Sequence, residues 1–474
     1  MCGCARTFVS YLVAHLSREN EEQRHGIQLI NTEQASWLCS LSPLTNPIGY
    51  LLGGFVMDVF GRKCSVTGAL FPFVVGWAII FKAKNLNDLY VAGILHGIAS
   101  GMSMTASAYI SEISSSQYRG FFLSILPFSY MLGTVICSAL ICLFGWLQGA
   151  AYLFALSMIM WVSAFLIPES PYWLVLKGCT NAAVKVLESI REDSDVIKDE
   201  ILDIKKCAPR KYYCNNVFSI EPHTKPPKAS TLKALWDARK QITMLTALAI
   251  LHKFTGFTPL AQYTVHFFQE LHTPLDSETA SFVHTMVCFA STFTGPYFIH
   301  NFDKRPILCV TSVIAGLSMS LVLVSEFNYT EKQENNWLAL VGVYGYDVFI
   351  TIGITSILVM LPAELLPTEI SGISCAIFSI LCSVITTVIV KTYLSLLAII
   401  GLFNMLSTFV ICCFIVAIFS VTILPETRGK TLTEIQEKYF NGDSASAPAA
   451  ADCDVTTAKN KALQITTNNA ILPV

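Results

Sequence analysis

Residues 370–424 read ISGISCAIFSILCSVITTVIVKTYLSLLAIIGLFNMLSTFVICCFIVAIFSVTIL, apolar over nearly the whole length. A helix needs about 20 mainly apolar residues to cross the hydrocarbon of a bilayer, because no backbone polar group can stay unpaired there. The stretch therefore reads as two membrane spans, 370–390 and 399–424. Moving outward, the same reading gives 36–57, 64–82, 88–111, 120–143, 147–167, 241–268, 278–299, 306–325 and 336–361. These eleven spans predict an all-α polytopic membrane protein with the lipid bilayer as its main partner. Composition agrees: apolar residues make up 53% of the 474 and charged residues 14%, against about a quarter charged in soluble chains. A soluble fold, a disordered chain and a disulfide scaffold are all disfavoured. A net charge of −2 offers no basic surface to nucleic acid. The 16 cysteines lie mostly inside apolar runs, as at Cys137, Cys142, Cys309, Cys375, Cys412 and Cys413, where they pack as small reduced hydrophobes.

The chain divides into an atypical N-terminus (1–35), a first bundle (36–167), a polar connection (168–240), a second bundle (241–424) and a tail (425–474). The connection holds the densest cluster of Lys and Arg, which places it in the cytoplasm, and Arg62, Lys63, Arg119, Lys304 and Arg305 lie in loops on the same side. Leu187, Ile190, Ile197, Ile201 and Ile204 recur at helical spacing and predict an amphipathic helix under the bundle. Pro222, Pro226 and Pro227 end that pattern. Asn328-Tyr329-Thr330 is a glycosylation sequon in a loop on the other side, with Asn328 as the acceptor. The tail after about residue 440 is rich in Ser, Ala and Thr without periodicity and reads as a disordered cytoplasmic end.

Two halves of the chain carry the same marks in the same order. Tyr109-Ile-Ser-Glu112 followed by Arg119-Gly120 is matched by Glu364 followed by Ser371-Gly372. Pro168-Glu169-Ser170 is matched by Pro425-Glu426-Thr427, and Gly53-Gly54-Phe-Val-Met-Asp58-Val-Phe-Gly61-Arg62-Lys63 by a worn copy around His300-Asn301-Phe302-Asp303-Lys304-Arg305. Such an internal repeat is the pattern of a duplicated transporter, with a solute site near the midplane and one bundle rocking against the other.

These motifs, with Pro168–Leu174 (PESPYWL) and Pro425–Ile435 (PETRGKTLTEI), resemble the sugar porter branch of the major facilitator superfamily, over about residues 30–440. Ile125-Leu126-Pro127, Cys288–Phe293 and Val390-Lys391-Thr392 are similar to the facilitated trehalose transporters of insects and their paralogues. The resemblance implies two pseudo-symmetric bundles in a plasma-membrane monomer that moves a small sugar, trehalose or hexose, by facilitated diffusion. It assigns Asp58, Arg62, Lys63, Glu112, Arg119, Glu169, Glu364, Glu426 and Arg428 to a cytoplasmic gate of ion pairs between the bundles. The other reading of such residues is that they anchor span ends at the headgroups. Two gate arginines of the family are absent, replaced by Tyr172 and Ser371.

The resemblance also places solute contacts on the stretch His252-Lys253-Phe254-Thr255-Gly256-Phe257-Thr258, then Gln262 and Tyr263, with Cys288 and Val359 from later spans. His252, Thr255, Gly256, Pro259, Gln262 and Tyr263 share one helical face. Two glutamines of the family are His252 and Lys253 here, its two asparagines are Thr258 and Cys288, and its tryptophan is Val359. The solute's identity therefore does not carry over. A lysine near the bilayer midplane costs several kcal/mol unless paired. Lys253 is accordingly expected either to pair with Asp347, to contact an anionic solute, or to reach a water-filled cavity. His252 and His96 read as hydrogen-bonded interior residues. The arginine of proton-coupled members corresponds to Gly93, which points to uncoupled transport.

Upstream of Trp37 only Thr7–Leu16 is apolar, and the charged Ser17–His25 follows directly. Ten residues are too few for a span, so a truncated first span and a missing cavity wall are expected. Three functions stay open: a sugar carrier, a carrier of a non-sugar or anionic solute, and a transporter-like sensor. No nucleotide-binding glycine loop, metal-ligand spacing or nucleophile motif occurs, so neither an enzyme nor a cofactor is expected.

Overall fold

The structure is a computed structural model that describes residues 1–18, 31–115, 118–191, 197, 201, 239–328, 336–365 and 371–424. The described residues form helices α1 (Cys2–Arg18), α2 (Thr32–Phe60), α3 (Arg62–Lys82), α4 (Leu86–Met102), α5 (Thr105–Ile113), α6 (Arg119–Ala164), α7 (Pro171–Leu176) and α8 (Thr180–Ile190) in the first half. The second half holds α9 (Arg239–Phe254), α10 (Phe257–Gln262), α11 (Thr264–Glu270), α12 (Ser277–Asn301), α13 (Lys304–Phe327), α14 (Trp337–Ile350), α15 (Ser356–Leu365) and α16 (Ser371–Thr422). A π-helical turn, Thr351–Thr355, joins α14 to α15.

All eleven expected spans are helical. Two pairs of them form single helical runs: α6 has 46 residues and α16 has 52. At 1.5 Å per residue each is about twice as long as the hydrocarbon is thick. Each is broken once, at Gly145 (φ 79°, ψ 168°) and at Gly401 (φ 77°, ψ 163°). Positive φ of this size suits only glycine. The chain doubles back there, so that Gly149 abuts Ile141 and Leu424 at the end of α16 accepts a hydrogen bond from Arg305 at the start of α13. Among the described residues, six helices are long and apolar enough by themselves to cross a membrane. The others are α1, α2, α9–α11 and α12, and of these α2 and α12 make the main contacts between the bundles, against α16 and α6.

Helix ends are fixed by local chemistry. Asn85 and Asp88 form a capping box on α4, Asp276 caps α12, Asn336 caps α14, and Ser170 with Pro171 at the first helical position starts α7. In the connection, Leu187, Ile197, Ile201 and Val184 pack into a small core, but the helix that carries Val184 and Leu187 ends at Ile190, so the expected single helix is not continuous. Ile190 is exposed, and Ile204 lies outside the described residues.

The two bundles meet where α2 packs on the first half of α16 and where α12 packs on the first half of α6. The prolines of α2 explain how they are joined. Pro43 and Pro47 lie inside the helix and have no N–H to give the carbonyls four residues earlier, those of Cys39 and Pro43. Side chains of the second bundle replace the lost donors. Gln262 Nε2 donates to the Cys39 carbonyl at 3.0 Å, and Ser383 Oγ donates to the Pro43 carbonyl at 2.7 Å. Further polar contacts cross toward the end of the bundle away from the 168–240 connection. Tyr11 OH donates to the Glu278 carbonyl at 3.3 Å, Ser138 and Thr285 share a hydrogen bond of 2.9 Å, and Lys391 Nζ donates to Ser36 Oγ at 2.8 Å.

The proline account is checked by a double-mutant cycle. Ser383→Ala is expected to cost about 1 kcal/mol, the usual size of an interhelical hydrogen bond in a membrane. In a Pro47→Ala background, where the helix regains its own N–H donor, the same change is expected to cost close to nothing. Thermal unfolding in detergent reads both.

Candidate functional site

A cavity lies between the bundles, walled by Arg6, Thr7, Ser10 and Tyr11 of α1, Tyr130, Met131 and Thr134 of α6, Phe257, Ala261 and Thr264 of α10–α11, and Ser281, His284, Thr285 and Cys288 of α12. It encloses ≈ 40 Å³, room for roughly three water molecules. Hydroxyls dominate its polar lining, and each can both donate and accept a hydrogen bond.

The first wall corrects the expectation that one would be missing. α1 runs beyond the apolar stretch Thr7–Leu16 at both ends, and its 17 residues reach the lower limit of a span. Gly3 makes the docking possible, since a side chain there would collide with the backbone of Tyr130 and Thr134. Cys4 Sγ then donates to the Gly133 carbonyl at 3.3 Å, and Phe8 meets the Trp77 ring edge-on at 5.0 Å.

The span carrying the expected solute contacts is broken into α9, α10 and α11. Gly256 makes the break with φ 97°, and a Cβ at that position would strike the ring of Phe409. Pro259 has no N–H for the Thr255 carbonyl, which accepts instead from Tyr346 OH at 2.9 Å. His252 Nε2 is 3.1 Å from Thr355 Oγ1, within the π-helical turn. Tyr263 OH donates to the Val390 carbonyl at 3.0 Å, and its ring stacks on Tyr393 at 5.2 Å.

Of the eight residues that sequence reasoning assigned to the solute, only Cys288 lines this cavity. His252, Thr255, Thr258, Gln262 and Tyr263 are buried; His252, Thr255, Gln262 and Tyr263 hold the broken helix to its neighbours. Lys253 is half-buried, and Val359 is 69% exposed. His96 is buried against Trp77, with ring centroids 4.7 Å apart.

Asp347 is fully buried and pairs with His284, not with Lys253: Asp347 Oδ2 lies 2.6 Å from His284 Nδ1. Cys288 Sγ is 3.9 Å from His284 Nε2, one helical turn away. The three side chains bring potential ligand atoms within 4.8 Å of one another. At 2.6 Å the Asp347 carboxylate and the His284 ring are in direct contact. Sequence reasoning missed His284, although Ser281, His284, Thr285 and Cys288 recur at three- and four-residue spacing on one face.

At the end nearest the 168–240 connection, five of the predicted gate residues lie together: Asp58, Arg62, Lys63, Glu112 and Glu169. Arg62 Nε and Nη2 grip the Glu112 carboxylate at 2.8–3.0 Å. Glu169 Oε1 accepts from the backbone N–H groups of Arg62 at 2.9 Å and Lys63 at 3.1 Å, and so caps α3. Gly61, with φ 105°, leaves room for that carboxylate. Ser170 Oγ donates to Glu112 at 2.5 Å, and Lys63 Nζ donates to the Phe165 carbonyl at 2.8 Å. The Asp58 carbonyl accepts from Trp173 Nε1 at 3.5 Å. These contacts lie within the first bundle, whereas ion pairs between the bundles were expected. The side chains of Arg119 and Glu364, and residues Glu426 and Arg428, lie outside the described residues. Asn328 is exposed at the end of α13.

Residues 2–439 match the model of the family "Sugar (and other) transporter". The chain is 25% identical over 421 residues to the facilitated trehalose transporter of Apis mellifera ligustica, covering 86% of this chain and 80% of that protein. It is 25% identical over 424 residues to the same transporter of Polypedilum vanderplanki, covering 87% and 80%. Among solved structures, the inward open conformation of the xylose transporter XylE from E. coli is similar with a TM-score of 0.72 and 17% identity, covering 92% of this chain and 97% of that one.

Removing one partner of a buried ion pair strands the other. Asp347→Asn is expected to destabilise the protein by about 3 kcal/mol, and His284→Gln in the same chain to restore part of the loss. Melting temperatures of the two single variants and the double variant in detergent test the pairing.

Proposed function

The chain belongs to the sugar (and other) transporter family, and from that premise we propose that the cavity between its bundles carries a sugar across the plasma membrane by facilitated diffusion. It is a multi-pass membrane transporter of the major facilitator fold, not an enzyme. The observation that carries the proposal is a hydroxyl-lined cavity walled jointly by α1 and α6 of one bundle and α10–α12 of the other. A solute held there is released to one side or the other as the bundles separate at one end and close at the other. Trehalose is the first candidate, from the relatives' names, and a hexose the second.

The excess of Lys and Arg in 168–240 supports a cytoplasmic connection and tail, and exposed Asn328 supports glycosylation on the opposite face. In this orientation the bonds of Gln262, Ser383 and Lys391 to the first bundle, and of Tyr11 to the second, close the outer entrance. The cluster of Asp58, Arg62, Lys63, Glu112 and Glu169 forms the first bundle's half of the inner gate. Arg119, Glu364, Glu426 and Arg428 complete it, and a monomer suffices.

Proteoliposomes holding the purified chain are expected to show saturable counterflow of labelled trehalose or glucose, without stimulation by a proton gradient. Absence of sugar counterflow, with binding retained, would favour the sensor reading. Glu112→Ala is expected to release Arg62 and raise thiol labelling of a cysteine placed on the cytoplasmic side of the cavity several-fold. Unchanged labelling would remove Glu112 from the gate.

A further inference from the structure

Two metal-ligating side chains face the cavity together. His284 and Cys288 both line it, one turn apart on α12, and Asp347 of α14 meets the histidine from behind. All three are buried. The imidazole is approached at both nitrogens: Asp347 Oδ2 lies 2.6 Å from Nδ1, and Cys288 Sγ lies 3.9 Å from Nε2. A sugar carrier needs no such set.

The spacing suits a cation. With zinc bonds of about 2.3 Å to sulfur and about 2.0–2.1 Å to nitrogen, one ion bridges that 3.9 Å gap at an S–metal–N angle of roughly 125–130°, a distorted tetrahedral value. The carboxylate also lacks what a buried carboxylate needs, because no donor meets either Asp347 oxygen in hydrogen-bond geometry. A carboxylate behind a ligating histidine keeps the proton on the near nitrogen and leaves the far lone pair for the metal.

We propose that His284 Nε2 and Cys288 Sγ bind a zinc-type divalent ion, with Asp347 orienting the imidazole and cavity water filling the open positions. On binding, the Cys288 thiol gives its proton to water and its S–H bond is exchanged for a sulfur–metal bond, with no change of oxidation state. Thiolate with imidazole selects Zn²⁺ or Cd²⁺ over Mg²⁺ and Ca²⁺. In a cavity of ≈ 40 Å³ the ion excludes the solute, so bound metal blocks transport. That block rests on the sugar-carrier reading, whereas the binding does not.

The test titrates the purified full-length chain in detergent with Cd²⁺, whose bond to a thiolate absorbs in the ultraviolet. A saturable band that is absent in Cys288→Ala is expected, with about one proton released per ion at that site. Asp347→Asn should weaken binding at Cys288 about tenfold and His284→Gln at least tenfold. Cys288→His should keep thermal stabilisation by Zn²⁺ without the sulfur band, since two histidines four residues apart on a helix form a zinc pair. Both Cys288 variants keep His284 and Asp347, so loss of the fold does not imitate loss of the site. A band unchanged in Cys288→Ala, or equal affinity in wild type and His284→Gln, overturns the site.

In proteoliposomes Zn²⁺ should inhibit counterflow of labelled glucose or trehalose, and Cys288→Ala should raise the half-inhibiting concentration at least tenfold relative to that variant's own flux. A Cys288-dependent band with undiminished sugar flux supports the site and overturns the block. Absence of any sugar flux removes the transport reading and leaves the Cd²⁺ titration to decide the site.

Discussion

A backbone carbonyl left without its N–H partner inside hydrocarbon has to find another donor, and three such carbonyls organise this protein. Prolines at 43, 47 and 259 create them at Cys39, Pro43 and Thr255. Each is met by a side chain from a different helix: Gln262, Ser383 and Tyr346. Two of the three bonds cross between the bundles, so the defects in α2 become the points where the two halves are joined. The third holds the broken helix α9–α10 against α14. An unbroken helix would satisfy its own backbone and leave its neighbours nothing to bind. The interruptions are thus the source of specific contact in a medium where apolar packing alone discriminates poorly.

Charge is handled by the same economy. In the first bundle Arg62 and Glu112 form a bidentate pair while Glu169 caps the start of α3, and Ser170 and backbone groups complete the set. Every member has a partner, which is the condition under which a partly buried ionic network is stable. In the second bundle the Asp347 carboxylate lies against the His284 ring at 2.6 Å.

Most of the fold was legible in the sequence, since eleven apolar stretches of sufficient length admit little besides transmembrane helices, and the duplicated motifs fixed the two-bundle plan. The duplication recurs in the contacts: Lys63 donates to the Phe165 carbonyl, and Arg305 donates to that of Leu424. The cavity was much less legible. Residues of the broken span seemed to face the solute because they share a helical face, yet the break at Gly256 ends that helix, and His252, Gln262 and Tyr263 turn to structural bonds. α1 escaped notice because an interior helix, shielded by its neighbours, needs less apolar length than one facing lipid. Its Arg6, Thr7 and Ser10 look unsuited to a span and are suited to a wall. The Asp347–His284 pair joins residues far apart in the chain, and spacing along a sequence carries no information about such a meeting.

The glycine breaks within α6 and α16 have a consequence for how the protein is made. Gly145 and Gly401 adopt nearly the same backbone angles, φ 79° and 77°, and each reverses the chain between two apolar helices with no polar linker between them. A translocation channel that meets such a segment has no hydrophilic loop to export separately. Each pair therefore enters the bilayer as one helical hairpin, in a single insertion event. Four of the protein's crossings are thereby settled two at a time, and the last spans of each half reach the membrane already paired.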